Sequence, residues 1–440
     1  METTSNPPPS QFKDRLIFIF FGIASLLGWN ALLTKLDFFD YFLSDIEPST
    51  SFAFFNYVLN ISFQFLLIWK KNLIPLKIEL IIGIIGSIIF LVLVPLSASL
   101  LGKNEMINKI ITSGLIVLMG LINAFASGGF FSYTGHFPLE MIVHFTVGQG
   151  VSAILMNVLE YIVIASVNIE NDEEKKQVVR AWIFFVSAIL ILLISLILLL
   201  YSYSDEYCKY YLNKVENKAL NSENKEMKNT SLIPASEKSI ATNEETEKKE
   251  EIQNTYKDDN KKEKTIPTFS YVFKRMKDLC LLACYTYIVT FALFPGVSVN
   301  QKIFEIGDYK IVTIITIYNV FDTIGRFFVG FIKPTKILNS IIVLGRSILL
   351  ITLIINDYFQ RNLDLNLTFT SIFLMVNVAI LGITNGMGAT LTFGLASNLA
   401  EDEIKKQTGG LIGFFSILGI FLGSVLAFGT KAIIKTFKKN

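Results

Sequence analysis

The run VVRAWIFFVSAILILLISLILLLYSY, Val178–Tyr203, decides the fold class. A helix rises about 1.5 Å per residue and the hydrocarbon core of a bilayer is roughly 30 Å thick, so about 20 apolar residues cross it. Working outward from this run, segments of comparable length lie before it at Leu16–Thr34, Ser51–Trp69, Ile78–Leu101, Ile110–Tyr133 and Pro138–Val167. After it come Leu279–Val299, Tyr309–Ile332, Ile337–Ile355, Leu367–Leu399 and Thr408–Ile434. The reading is an all-α polytopic membrane protein with about eleven transmembrane helices. The first segment has Lys13 and Arg15 ahead of it and no small-residue cleavage site, so it reads as a retained helix.

Composition agrees with lipid as the solvent. Of the 440 residues 52% are hydrophobic and 17% charged, and the mean hydropathy is +0.51. The charges are also unevenly spread. Ser204–Thr268 holds twelve Lys and fourteen Asp or Glu, with few apolar residues and little periodicity. Such a segment buries too little surface to fold alone. It divides the spans into six and five and is expected to be a disordered cytoplasmic linker. The resulting layout is a cytoplasmic segment 1–15, a six-helix bundle 16–203, a charged loop 204–270, a five-helix bundle 271–435 and a short tail 436–440.

Several function classes recede on composition alone. A net charge of +2 without a basic patch gives no argument for nucleic acid. Cys208, Cys280 and Cys284 suggest no pairing, and His136 and His144 form no metal cluster, so no cofactor and no enzyme chemistry is expected. Lys and Arg in the short connections set the orientation. Lys13, Arg15, Lys70, Lys71, Lys77, Lys274, Arg275, Lys277, Lys333, Lys336, Lys405 and Lys406 would share one side. Asp37, Asp40, Asp45, Glu47, Glu170, Asp172, Glu173 and Glu174 mark the other. The N-terminus is therefore expected in the cytoplasm; Lys431, Lys435, Lys438 and Lys439 run against the outside C-terminus that eleven spans require.

Within the spans the informative residues are polar, because each is costly in hydrocarbon unless paired or facing a cavity. In Tyr318-Asn319-Val320-Phe321-Asp322-Thr323-Ile324-Gly325-Arg326, Asp322 and Arg326 are four apart and share one helix face, with Asn319 on the same stripe. They read either as a ligand-binding pair or as an ion pair locking span eight to its neighbours. Trp29 and Asn30 in span one are either ligand contacts or an anchor and an interhelical amide. Asn60 and Gln64, one turn apart in span two, carry the same ambiguity. Pro95 and Phe294-Pro295 are expected to break their helices. His144, Glu160 and Arg346 read as isolated ionisable groups, His144 being a low-grade candidate for proton coupling.

These motifs together resemble the equilibrative nucleoside transporter family. The resemblance rests on Leu26-Leu-Gly-Trp29-Asn30 with Leu33-Thr34 and on Gly120 to Gly150 with its Pro138 and Gly148-Gln149-Gly150. It continues through Phe294-Pro295 with Val297, the span-eight run, Thr384-Asn385-Gly386, and Gly409 to Gly423. It implies two pseudo-symmetric bundles, six helices and five, resembling the major facilitator fold. The implied function is facilitative transport of nucleosides and perhaps nucleobases by alternating access, with proton coupling in some relatives. Trp29, Leu33, Gln64, Ser127, Phe294, Pro295, Asp322 and Arg326 would meet substrate, while Asn30, Asn319 and Asn385 would tie helices beside the cavity. The family commonly carries a glutamine in the fourth helix where Ser127 stands, and an apolar residue where Gln64 stands. The implied setting is a monomer surrounded by lipid in the plasma membrane. The rival is a carrier of another small polar metabolite on the same fold in an endomembrane or lysosome.

Overall fold

The computed structural model describes residues 8–69, 74–212, 269–362, 366–401 and 404–436. Its regular elements are helices. The first group is α1 (Phe12–Thr34), α2 (Leu36–Leu43), α3 (Pro48–Trp69), α4 (Leu76–Leu100), α5 (Met106–Thr134), α6 (Leu139–Ser166) and α7 (Glu173–Ser202). The second is α8 (Phe269–Leu293), α9 (Lys310–Phe328), α10 (Lys336–Gly345), α11 (Ile348–Asn362), α12 (Leu367–Leu399) and α13 (Lys405–Thr436). Among the described residues eleven stretches are long and apolar enough to cross a membrane, α10 and α11 together making the ninth. The chain is a multi-pass membrane protein.

Val178–Tyr203 shows why these helices form and how they sit. On α7 the buried positions Ala181, Phe184, Phe185, Ala188, Leu192, Ser195 and Leu199 recur at three and four, one face of a 3.6-residue period. Ile183, Leu190, Ile194 and Ile197 point outward and are exposed. Apolar side chains on both faces are what a helix between protein and lipid requires. Lipid gives no hydrophobic drive for helices to associate, so close packing at small residues must supply it. In the first half α1 packs on α6, and α3 and α4 pack on α5; in the second α8 packs on α13 and α9 on α12. The α9–α12 crossing depends on glycine. A Cβ on Gly325 would strike the carbonyl of Ile383, and one on Gly386 would strike the carbonyl of Asp322.

The halves meet along a seam formed by α3 against α13 and α6 against α9. The seam has two ends, named here by their charge: a basic end where α1 begins, and an acidic end where α1 gives way to α2. At the acidic end the bundles are tied by polar groups. Asp308, just before α9, accepts from Arg180 at 2.8 Å and pairs with Lys176 at 3.1 Å, both on α7. Tyr161 of α6 stacks on Tyr309 with centroids 5.9 Å apart and lies 3.0 Å from the Thr313 hydroxyl. At the basic end the contact between bundles is apolar, with Ile142 buried among Val272, Met276, Phe393 and Ile412.

Four details differ from the sequence reading. α8 stops at Leu293 instead of running to Val299, because Pro295 has no N–H and disfavours helix at the residue before it. The Ser298 N–H and hydroxyl then both bond the Leu293 carbonyl, at 2.9 Å each. Pro95, by contrast, sits inside an unbroken α4, as membrane helices allow when neighbours hold the backbone. Span nine is divided at Arg346. Finally, the first bundle continues past Tyr203: Asp205, Tyr207 and Cys208 are buried, and Asp205 pairs with Lys13 at 2.6 Å. The rest of the charged loop, 213–268, lies outside the described residues, so the disordered reading is not addressed there.

Candidate functional site

The site grows from α9. One turn apart on its buried face, Asp322 and Arg326 bond through Oδ2 and Nε at 2.7 Å. Each charge alone would cost about 2.5–3.5 kcal/mol at bilayer depth, and pairing removes part of that. Their remaining valences reach both bundles. Arg326 Nη1 donates to Gln149 Oε1 on α6 at 3.2 Å and lies 3.5 Å from the Thr146 carbonyl. Gln149 in turn donates to the Ser25 hydroxyl of α1 at 3.3 Å. On the other side Asn385 of α12 donates to Asp322 Oδ1 at 2.7 Å. A single polar chain thus crosses the seam from α1 to α12, with the ion pair in its middle.

Aromatic layers bound this chain toward each end. On the acidic side Trp29 meets the Tyr57 edge at 5.4 Å and lies 6.4 Å from Phe291, within a cluster that includes Tyr287, Ile417 and Ile420. On the basic side Phe131 meets Phe145 at 5.3 Å and Phe393 at 5.4 Å, joining the two bundles. Beyond Trp29, toward the acidic end, Leu32, Leu33, Leu36, Phe52 and Pro295 line a crevice too narrow to hold a water. Phe294 is buried and stacked on Tyr318 at 4.1 Å.

A second polar surface faces the seam from α3. Asn56, Asn60 and Gln64 follow each other at intervals of four, on one face, and all three are buried. Gln64 is only 2% exposed, yet neither its amide oxygen nor its nitrogen has a hydrogen-bond partner. Asn60 Oδ1 and Asn56 Nδ2 are likewise unpartnered, although Asn56 Oδ1 accepts from Asn123 at 3.2 Å. The Gln64 amide abuts Gly128 of α5 and Gly413 of α13, so it sits where the bundles converge. An unpaired buried amide costs about 1–3 kcal/mol, which a ligand carrying complementary groups would recover.

The other residues predicted from sequence separate into kinds. Trp29, Leu33 and Pro295 line the same narrow crevice. Asn30 donates to Ser152 of α6 at 3.2 Å and is an interhelical amide. Asn319 is buried on the same face as Asp322. The Ser127 hydroxyl donates to the Asn123 carbonyl of its own helix at 2.7 Å and keeps only its acceptor lone pairs free. Two groups read as isolated have partners. Glu160 pairs with Lys35 at 2.8 Å, and both are buried. Arg346 is held by carbonyl and side-chain oxygens of α8 and α12. The His144 ring bonds the Glu140 carbonyl at 2.7 Å. Sequence reasoning missed Gln149 as a partner of Arg326 and Asp308 as the tie between bundles. Gln149 lay in plain view inside Gly148-Gln149-Gly150, but nothing local says that α6 passes α9 at that height.

Comparison with known proteins places this geometry. The sequence model described as "Nucleoside transporter" matches residues 113–432. "Equilibrative nucleoside transporter 1" of Homo sapiens is 23% identical, covering 98% of this chain and all of that protein. "Equilibrative nucleotide transporter 4" of Arabidopsis thaliana is 24% identical, covering 96% of each. Among solved structures the xylose transporter XylE from E. coli superposes with a TM-score of 0.55 at 13% identity, covering 98% of this chain and 99% of that one. A D-xylose-proton symporter gives 0.60 at 12% identity, covering 95% and 90%. At such identities the structural likeness speaks for the fold, which is that of the major facilitator carriers. With the family match spanning most of its length, the chain belongs to the nucleoside transporter family.

Proposed function

We propose that this protein carries nucleosides across a membrane by facilitated, alternating-access transport. The observation that carries the reading is the Asp322–Arg326 pair, held at the seam by contacts to both bundles. A carrier site must touch both halves, so that substrate binding lowers the barrier between states open to either side without biasing the end point. The carboxylate and guanidinium would hold the ribose hydroxyls through charge-assisted hydrogen bonds. Trp29, Leu33, Phe294 and Pro295 supply apolar walls, and Gln64 meets the base. An amide offers two donors and two acceptors, so Gln64 can match the neutral polar edge of either a purine or a pyrimidine.

The chain acts as a carrier and not as an enzyme, as a single protomer in the plasma membrane, with its N-terminus and the basic end in the cytoplasm. Uptake of radiolabelled adenosine or uridine into cells or vesicles tests the whole reading. Uptake should saturate, be competed by unlabelled nucleoside, and equilibrate without accumulation at equal pH on the two sides. Uptake that rises linearly with concentration, or ignores competitor, would refute it. The same assay with a pH difference across the membrane tells passive from proton-coupled movement.

A further inference from the structure

Behind the ion pair lies a buried cation that the transport reading leaves unused. Arg346 ends α10 and is 2% exposed, and no carboxylate pairs with it among the described residues. Its Nη1 donates to the Thr286 carbonyl at 2.8 Å and to Asn385 Oδ1 at 3.3 Å. Its Nη2 donates to the Thr290 hydroxyl at 2.6 Å and to the Leu381 carbonyl at 3.2 Å. Nε has no partner. A guanidinium without a counter-ion is an expensive fastener for three helices, since neutral side chains could bond the same carbonyls.

Its value lies one residue further in. A guanidinium can only donate, so the Asn385 side chain must present oxygen toward it. Thr290 reinforces this by donating to the same oxygen at 2.7 Å. The amide nitrogen is thereby turned toward Asp322 Oδ1, 2.7 Å away. Asp322, as a carboxylate, only accepts and so selects the same amide orientation from the other side. Arg346 and Thr290 anchor the far end of that amide, and Asp322 has one oxygen held by Asn385 and the other by Arg326.

We infer that Arg346 is a positioning residue for Asp322. Acting through Asn385, it fixes the plane of the carboxylate so that its free lone pairs meet the vicinal hydroxyls of a ribose. This rests on the ribose reading given above. It accounts for the break of span nine at Arg346, which lets the side chain enter between α8 and α12.

The test is uptake of adenosine against 2′,3′-dideoxyadenosine by the full-length protein, with KM and Vmax measured for each and the amount in the membrane quantified. Arg346→Gln should raise the adenosine KM about tenfold, the worth of one charge-assisted hydrogen bond, and leave the dideoxy KM within about twofold. Thr290→Val separates positioning from fastening. It keeps the Arg346 bonds to the Thr286 and Leu381 carbonyls, which join the helices, and brings no charge beside Asp322, but it removes a donor from Asn385 Oδ1. A fall of about threefold or more in adenosine preference in Thr290→Val is the expected result. If both variants lower Vmax for the two substrates alike and keep the preference, Arg346 only holds helices and the inference is overturned. If Arg346→Gln does not reach the membrane, Thr290→Val decides alone. Asp322→Asn serves as reference. If it keeps the preference, the ribose reading fails and takes this inference with it; if it loses the preference while Thr290→Val keeps it, only the positioning role fails.

Discussion

Two buried ion pairs in this molecule look alike in isolation and differ in consequence. Lys35 and Glu160 meet at 2.8 Å with side-chain exposures of 0% and 1%, and Arg326 and Asp322 meet at 2.7 Å with 6% and 9%. The first pair joins α6 to the residue where α1 gives way to α2, so both partners belong to one bundle. The second pair lies on one helix and spends its remaining bonds on both bundles. In the proposed alternating-access cycle Lys35–Glu160 would move as one body, while the surroundings of Asp322–Arg326 would change. Burial of charge marks cost; position relative to the seam is what makes the second pair the candidate site.

The comparison can be broken most directly at Asp322–Arg326. Asp322→Asn and Arg326→Ala should each reduce nucleoside uptake by about a hundredfold or more, two charge-assisted bonds being lost at once, with protein still present in the membrane. Uptake within a few-fold of wild type in both would remove the pair from the mechanism. Lys35→Met should act on the other axis, since it strands both Glu160 and Asp37, which lies 3.3 Å from the same ammonium. Breaking a buried ionic cluster costs about 3–5 kcal/mol of stability, so folded protein falls sharply, as thermal unfolding of purified carrier would register. Transport per folded molecule should keep its KM. The triple variant Lys35→Met/Asp37→Asn/Glu160→Leu should regain much of the lost stability; a large KM change there would mean that this cluster also meets substrate.

Smaller effects sharpen the contrast at the seam itself. Gln64→Ala should shift the ratio of purine to pyrimidine nucleoside KM values about five- to tenfold with little loss of protein, because it removes hydrogen bonds made only to the base. An unchanged ratio across a panel of nucleosides would assign the unpaired amide to helix packing. At the acidic end, Asp308→Asn should change the uptake rate only two- to threefold. Half-exposed ion pairs are worth roughly 0–1 kcal/mol, and this one closes the seam on one side without touching the site. A change in KM larger than in Vmax would contradict that placement.

How much of this was legible beforehand follows from the range of each interaction. Val178–Tyr203 identified a lipid-facing helix by itself, because membrane insertion is decided within one segment by length and hydropathy. The four-residue spacing of Asp322 and Arg326 announced their bond for the same reason: both ends lie on one turn. Glu160 could not be recognised as paired, nor Arg346 as a support for Asn385. Their partners are 125 and 39 residues away, and no local periodicity encodes which helices touch. Ser127 is a case where the resemblance alone gave the substrate role; its hydroxyl donates to its own helix and keeps only acceptor capacity for a ligand.

The sequence by itself determined that the chain crosses a membrane many times, where its helices lie, and which few polar residues had to be explained. These are one-dimensional properties, set by the free energy of moving a segment from water to lipid. Only the tertiary structure decided which of those residues share the seam. Gln64 left unpaired, Gln149 reaching Arg326, and Arg346 meeting Asn385 beside Asp322 all depend on helices brought together at glycine-lined crossings. In lipid, helix pairing is chosen by shape and hydrogen bonding between surfaces, and that choice is made in three dimensions.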